Sequence, residues 1–271
     1  EDAVELRSLV RGCIGDANRL PPVSNRIVAS ISPHAGFIYS GRVAGATFRA
    51  LKDNASISNF APETVVIIGF PHRVPVNGVA LLDGSAMATP LGKTPLDEAG
   101  ARIMVENARN IHFDAQPHAV EHSAENQVPF AQMALPGASL IIAIMGDHGD
   151  DTINDFVTAL GALAAKRRIV VVASTDLLHD PDYDKVSRTD RTTLETIVAL
   201  DDRRLLDNWS PDEQLCCGIG PVVTAMRFAR SQECRKGMLL QYRNSGDDFP
   251  ESRGSWVVGY GAVVFPAGSG N

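Results

Sequence analysis

Ile27-Val28-Ala29-Ser30-Ile31-Ser32-Pro33-His34-Ala35-Gly36-Phe37-Ile38-Tyr39-Ser40-Gly41 is the stretch whose reading decides the fold. An apolar, partly β-branched run suits a strand, and Pro33 stops it because proline cannot donate to a ladder. Two glycines then flank an aromatic pair, and a helical pattern follows over 41–52, with Val43, Ala44, Ala46, Phe48 and Leu51 on one side. The order is strand, tight loop, helix, with His34 at the carboxyl end of the strand. In open α/β sheets ligands bind in the crevice outside those ends.

The rest of the chain repeats this placement. Residues 63–69, 140–145 and 168–174 are nearly unbroken apolar runs, as strands covered on both faces require. The segment 79–90 is broken by Gly84 and Pro90 and reads as an antiparallel excursion at the sheet edge. Helical patterns occupy 2–12, 97–108, 121–135, 151–165, 188–200 and 218–231, with a short extension over 201–206. Strands at 237–243 and 255–265 close the chain. Strands alternating with helices specify a three-layer αβα fold, a mostly parallel central sheet with helices on both faces. No linker or repeat divides residues 1–271, so one α/β domain is expected, with a flexible tail after 265.

Composition narrows the function. Apolar residues make up 44% and charged residues 21%, as in ordinary globular proteins, and the net charge of −7 argues against a nucleic-acid binder. No apolar run reaches the ~20 residues that cross a bilayer. No secretory signal is read, and four cysteines without disulfide-like or zinc-like spacing suit a reducing cytoplasm. Gly-x-Gly-x-x-Gly, Gly-Lys-Ser/Thr and Gly-x-Ser-x-Gly motifs are absent at the places they would occupy, so no nucleotide cofactor is expected.

Four of the seven histidines, His34, His72, His148 and His179, fall just after buried strands. In a parallel sheet those ends share one edge, so the imidazoles can converge. A cluster of neutral imidazoles suits a late first-row metal or a general base near neutral pH. Taken singly, each is more often a solvated or hydrogen-bonded structural loop residue. Asp176 lies between a strand and His179, where it orients an imidazole or caps a turn. His122 and Glu125, three apart at a helix start, project from one side or form a solvated face. Cys217 precedes the last long helix, where the helix dipole favours thiolate; a free cysteine is otherwise a small buried hydrophobe.

The motifs Pro33-His34-Ala35-Gly36-Phe37-Ile38-Tyr39-Ser40-Gly41, Gly69-Phe70-Pro71-His72, Glu121-His122-Ser123-Ala124-Glu125-Asn126-Gln127-Val128-Pro129, Ser174-Thr175-Asp176-Leu177-Leu178-His179, Cys217-Gly218 and Gly259-Tyr260-Gly261-Ala262 occur in that order. Together they resemble the Memo family, in prokaryotes the B protein of the AmmeMemoRadiSam system. The family's usual N-terminal Gly-x-Phe-Tyr-Pro-like motif has no counterpart. The resemblance implies a fold like that of class III, LigB-type extradiol dioxygenases, which hold Fe(II) with two histidines and a glutamate. By that resemblance His34 and His72 match metal ligands, His179 matches a third pocket histidine acting in proton transfer, and Cys217 stands where the dioxygenases have glutamate. A His-His-Cys set implies a single divalent or redox ion, copper or iron, with zinc as a further candidate. The chain has His72-Arg73 where the family often has His-His; Arg73 adds a cation at the pocket rim or is a solvated loop residue. Tyr39 and His148 are expected around the site.

Three functions follow as expectations. The first is a metal-dependent redox or dioxygenase-like enzyme with a small-molecule substrate. The second is a non-catalytic module that binds peptides or phosphopeptides in an ancestral pocket, as animal relatives imply. The third is a cysteine-nucleophile enzyme using Cys217 with His179. The resemblance also implies functional links to radical-SAM and AMMECR1-like proteins.

Overall fold

The computed structural model describes residues 2–16, 20–210 and 214–268. In chain order the elements are α1 (Ala3–Asp16), β1 (Ile27–Ser32), α2 (Phe37–Ile57), β2 (Thr64–Gly69), β3 (Val79–Leu81), β4 (Ala86–Thr89), β5 (Gly92–Pro95) and α3 (Glu98–Glu106). Then come β6 (Ile111–Phe113), α4 (Val128–Ala134), β7 (Ser139–Met145), α5 (Asp150–Ala164), β8 (Ile169–Ser174), β9 (His179–Asp180) and α6 (Tyr183–Val198). The chain closes with α7 (Asp202–Asp207), α8 (Ile219–Ser231), β10 (Met238–Asn244), α9 (Ser245–Asp248) and β11 (Val257–Pro266).

The main sheet runs β10-β11-β1-β8-β2-β7-β3-β6, with β9 paired to β11. The inner strands β1, β8, β2 and β7 are mutually parallel, and β11, β10 and β3 join antiparallel at the flanks. Alternation along each inner strand fills both faces. Val66, Ile68, Ile141, Ala143 and Val171 point into a core with α3, α5, α6 and α8, whereas Val65, Ile67, Leu140, Ile142, Val170 and Val172 point into a second core with α1, α2 and α4. The three-layer αβα expectation is therefore met, and the edge excursion appears as β3 and the β4–β5 hairpin.

Several boundaries differ from the sequence reading, for local reasons. The second helix starts at Phe37, four residues early, because Gly36 O already accepts from Tyr39 and Ser40. The helix expected from 188 starts at Tyr183, since the Asp182 carboxylate caps Asp184 and Lys185. The helix expected over 121–135 does not form in its first part. The Glu121 side chain takes the N–H groups of His122 and Ser123, a 3-10 turn covers Glu125–Gln127, and only Val128–Ala134 is α-helical, with Pro129 in its first turn. His122 and Glu125 therefore do not share a helix face. The short strands β6 and β9 were not anticipated. Pro266 still belongs to β11, and residues 269–271 of the expected flexible tail lie outside the described residues.

Candidate metal centre at the carboxyl edge of the sheet

β1, β8 and β2 are adjacent, with Ser32 paired to Ser174 and Ile68 to Ala173. Their chain ends therefore leave the sheet about 4.8 Å apart and deliver neighbouring loops. The loop after β1 carries His34 and the loop after β2 carries His72. The turn before α8 brings Cys217 beneath them. Gly69 makes room for the fourth contributor: a Cβ there would sit 2.5 Å from Ser123 Oγ and 2.8 Å from the Ala124 nitrogen. Only glycine lets the Glu121-His122-Ser123 loop lie against the end of β2.

The imidazoles pack edge to face, with His34 and His72 centroids 5.2 Å apart and His34 and His122 5.8 Å apart, and His122 stacks on His72 at 5.0 Å. One ligand atom each from His34, His72 and Cys217 lies within 4.8 Å of the others. Cys217 Sγ and His34 Nε2 are 3.3 Å apart. Tetrahedral coordination with metal–sulfur near 2.3 Å and metal–nitrogen near 2.0 Å separates such donors by about 3.5 Å, so the pair fits one ion.

Hydrogen-bond accounting fixes both tautomers. The Ser174 hydroxyl donates its only hydrogen to Ser123 O and accepts from Gln127 Nε2 at 2.9 Å. It therefore also accepts from His34 Nδ1, 3.0 Å away, which leaves Nε2 unprotonated towards Cys217. Glu121 does the same for His72, accepting from its Nδ1 at 3.0 Å. Carboxylate partners of this kind set ring orientation and raise ligand basicity.

A second trio, His72, Glu121 and His122, also has donor atoms close together. The Glu121 oxygens there are engaged by the backbone N–H groups of His72, His122 and Ser123 as well as by His72 Nδ1. With three donors on Oε1 and one on Oε2, Glu121 orients the His72 ring and the loop that follows it.

The electrostatics agree. Burial, reinforced by neighbouring His72 and His122, lowers the His34 pKa well below its ordinary value, so the ring is neutral and ready to ligate. Burial alone would raise the Glu121 pKa, but the hydrogen bonds from the His72 ring and the surrounding backbone overcome it and hold the group ionised. Cys217 departs from the helix-dipole expectation. It is buried, and desolvation followed by the Asp176 carboxylate pushes its thiol well above its ordinary value, so without an ion it stays protonated. Burial outweighs the dipole because the sulfur faces protein, not water.

Asp176 supports His34 from behind, accepting from the backbone of His34 at 2.8 Å and Ala35 at 3.3 Å, and burial raises its pKa. Cys217 is held by Asp176 N–H at 3.3 Å and by Thr175 Oγ1 at 3.5 Å. His179 opens onto the same cavity as Cys217, beside Trp256. Part of it reaches solvent, yet desolvation by its surroundings lowers its pKa, with Asp176 opposing.

The remaining expected residues are not in the group of close donor atoms formed by His34, His72 and Cys217. His148 packs against Trp209 at 4.4 Å. Tyr39 packs against Phe249 at 5.0 Å. Glu125 is exposed, and Arg73 is exposed with no hydrogen bond or ion pair among the described residues. The sequence reading singled out neither Glu121 nor Ser174, although Glu121 lies in a quoted motif and Ser174 ends a recognised strand. The largest cavity described, about 910 Å³, lies at the opposite edge of the sheet, between Asn25 and Ala267, and holds none of these donors.

The αβα sheet carries at its carboxyl edge a two-histidine, one-cysteine group whose donor atoms lie close enough together to hold a metal ion. A family model, "Memo-like protein", matches residues 1–264, and the chain belongs to that family. A MEMO1 family protein of Methanopyrus kandleri is 32% identical over 98% of this chain and 95% of its own length. One from Methanothermobacter thermautotrophicus is 34% identical over 96% and 94%, and one from Nitrosopumilus maritimus 30% over 96% and 94%. Among the described residues no helix is long and apolar enough to cross a membrane.

Proposed function

We propose that the chain is a metal-dependent redox protein that holds one copper or iron ion through His34, His72 and Cys217. The observation that carries this reading is the tautomer pair. Ser174 and Glu121 each accept a hydrogen bond from an imidazole Nδ1–H, which turns Nε2 of His34 towards the Cys217 sulfur and leaves it free for an ion. A thiolate with two imidazoles is a soft donor set that favours copper, whereas a carboxylate in place of Cys217 would favour iron. Bound there, the ion would supply redox and Lewis-acid chemistry. The chain's own residues orient and move protons. Asp176 fixes the His34 backbone. His179, held neutral, takes a proton from a group lying in the cavity it shares with Cys217.

The test is anaerobic loading with Cu(I), Fe(II) or Zn(II), followed by desalting and elemental analysis. The expected result is one equivalent of copper or iron, lost in His34→Ala and in Cys217→Ala. Retention of none of the three metals, with no rise in Tm on their addition, would overturn the reading. Phosphopeptide binding by such metal-free protein would favour the binding-module alternative.

A further inference from the structure

Two cavities meet at Thr189 and Leu215, and one of them reaches Cys217. The first, about 400 Å³, is lined by Leu177, Leu178, His179, Cys217 and the indole of Trp256, which is 56% exposed. The second, about 370 Å³, lies over α6 and α7 and is lined by Arg188, Thr192, Thr196, Arg204 and Asn208. Thr189 and Leu215 line both, so the two form one trench leading away from Cys217.

The trench changes character along its length. Near Cys217 its wall includes the apolar and aromatic side chains of Leu177, Leu178, Leu215 and Trp256, and the cation there, Lys185, is bound to Asp180 at 2.7 Å. Among the described residues no acidic side chain lines the far end, although the chain carries 32 acidic against 25 basic residues. Arg188 and Arg204 have no carboxylate partner among the described residues. Arg227, Arg230 and Arg243, by contrast, are all committed to aspartates. Two guanidinium groups without a carboxylate partner among the described residues are suited to an oxyanion, which they can grip bidentately.

We propose that the trench admits an elongated substrate. Its apolar or planar body lies against Trp256 and the leucines, and its distal carboxylate or phosphate is held by Arg188 and Arg204. The proposal deepens the metal-site reading, and rests on it only for what happens at the Cys217 end. The grip on the distal anion is a property of the metal-free chain.

The test uses metal-free protein, with 6-phenylhexanoate, 6-phenylhexanamide and 5-phenylpentyl phosphate as probes and tryptophan fluorescence as the readout. The chain has two tryptophans; Trp209 is tied to Cys216 O and His148, so Trp256→Phe isolates the trench signal. The acid or the phosphate should bind at least about tenfold more tightly than the amide, a difference of about 1.4 kcal/mol. Whichever of the two binds more tightly identifies the distal group. Arg188→Gln/Arg204→Gln, two exposed positions, should abolish that advantage while leaving amide binding and Tm unchanged. Equal affinity for acid, phosphate and amide would overturn the proposal. So would an advantage that survives the double variant, or an undiminished fluorescence response in Trp256→Phe. Loss of metal retention alongside intact anion discrimination would remove the metal reading and leave the trench; the reverse would remove the trench alone.

Discussion

His72 Nδ1 donates to Glu121 Oε1 across 3.0 Å, and the same oxygen receives the backbone N–H groups of His122 and Ser123 at 2.8 Å. One buried carboxylate thus orients the imidazole of a candidate metal ligand and shapes its own loop. Glu121→Gln places an amide donor where acceptors are needed. Metal affinity should fall about 10–100-fold, with a loss of about 1–3 kcal/mol in stability from the unpaired donors. Chelator competition and urea denaturation measure the two effects; unchanged affinity would deny Glu121 its orienting role.

Ser174 is the matching partner of His34, with a fully buried hydroxyl that joins His34, Gln127 and Ser123. Ser174→Ala leaves the His34 Nδ1–H and one Gln127 hydrogen without an acceptor. We expect a cost of about 1–3 kcal/mol per unpaired group, and weaker metal binding because the His34 tautomer is no longer fixed. Imidazole NMR of metal-free protein, read for the Nδ1–H form, checks the second point.

Cys217 holds its proton when no ion is bound, because burial and Asp176 raise the thiol's pKa. Ion binding must therefore expel that proton, and metal affinity should rise about tenfold per pH unit through the neutral range. Calorimetry in buffers of different ionisation enthalpy counts the protons released. In metal-free protein at pH 7, iodoacetamide should label Cys217 more slowly than free cysteine, as peptide mass spectrometry would show. Rapid labelling would restore the nucleophile reading.

Asp190 is a buried carboxylate that accepts from Leu178 N–H at 3.1 Å and from the Tyr242 hydroxyl at 2.9 Å. Burial pushes its pKa up from 3.8 to about 7, against those two hydrogen bonds. The folded chain therefore keeps a proton that the unfolded chain has lost between those values. Its stabilising contribution is complete below pH 3.8 and disappears as the pH rises towards 7. Between pH 4 and pH 8 the stability of wild type relative to Asp190→Asn should fall by up to about 4 kcal/mol. Urea denaturation of both chains across that range checks it; a difference that does not vary with pH would contradict the raised pKa.

The architecture was legible because buried parallel strands must be apolar on both faces, and 63–69, 140–145 and 168–174 have that composition with helical periods between them. The start of α6 was misread because a cap is a side-chain event, visible only once the Asp182 carboxylate is seen on Asp184 and Lys185. The helix expected from 121 failed for a related reason. Its first N–H groups are claimed by Glu121, which is committed to His72, 49 residues away in the chain.

The sequence by itself determined the layers and the common edge of His34, His72 and His179, because these follow from local pattern and from strand ends sharing one side of a parallel sheet; Cys217 joined them only through the resemblance to the Memo family. Tertiary structure alone decided which of those groups meet. It turned His148 away onto Trp209, brought His122 against His72, and assigned Glu121 and Ser174 the Nδ1 protons. It also kept Cys217 protonated, against the expectation from its place before a helix. These outcomes depend on burial and on hydrogen-bond partners supplied by distant segments, and neither is encoded in the spacing of residues along one stretch of chain.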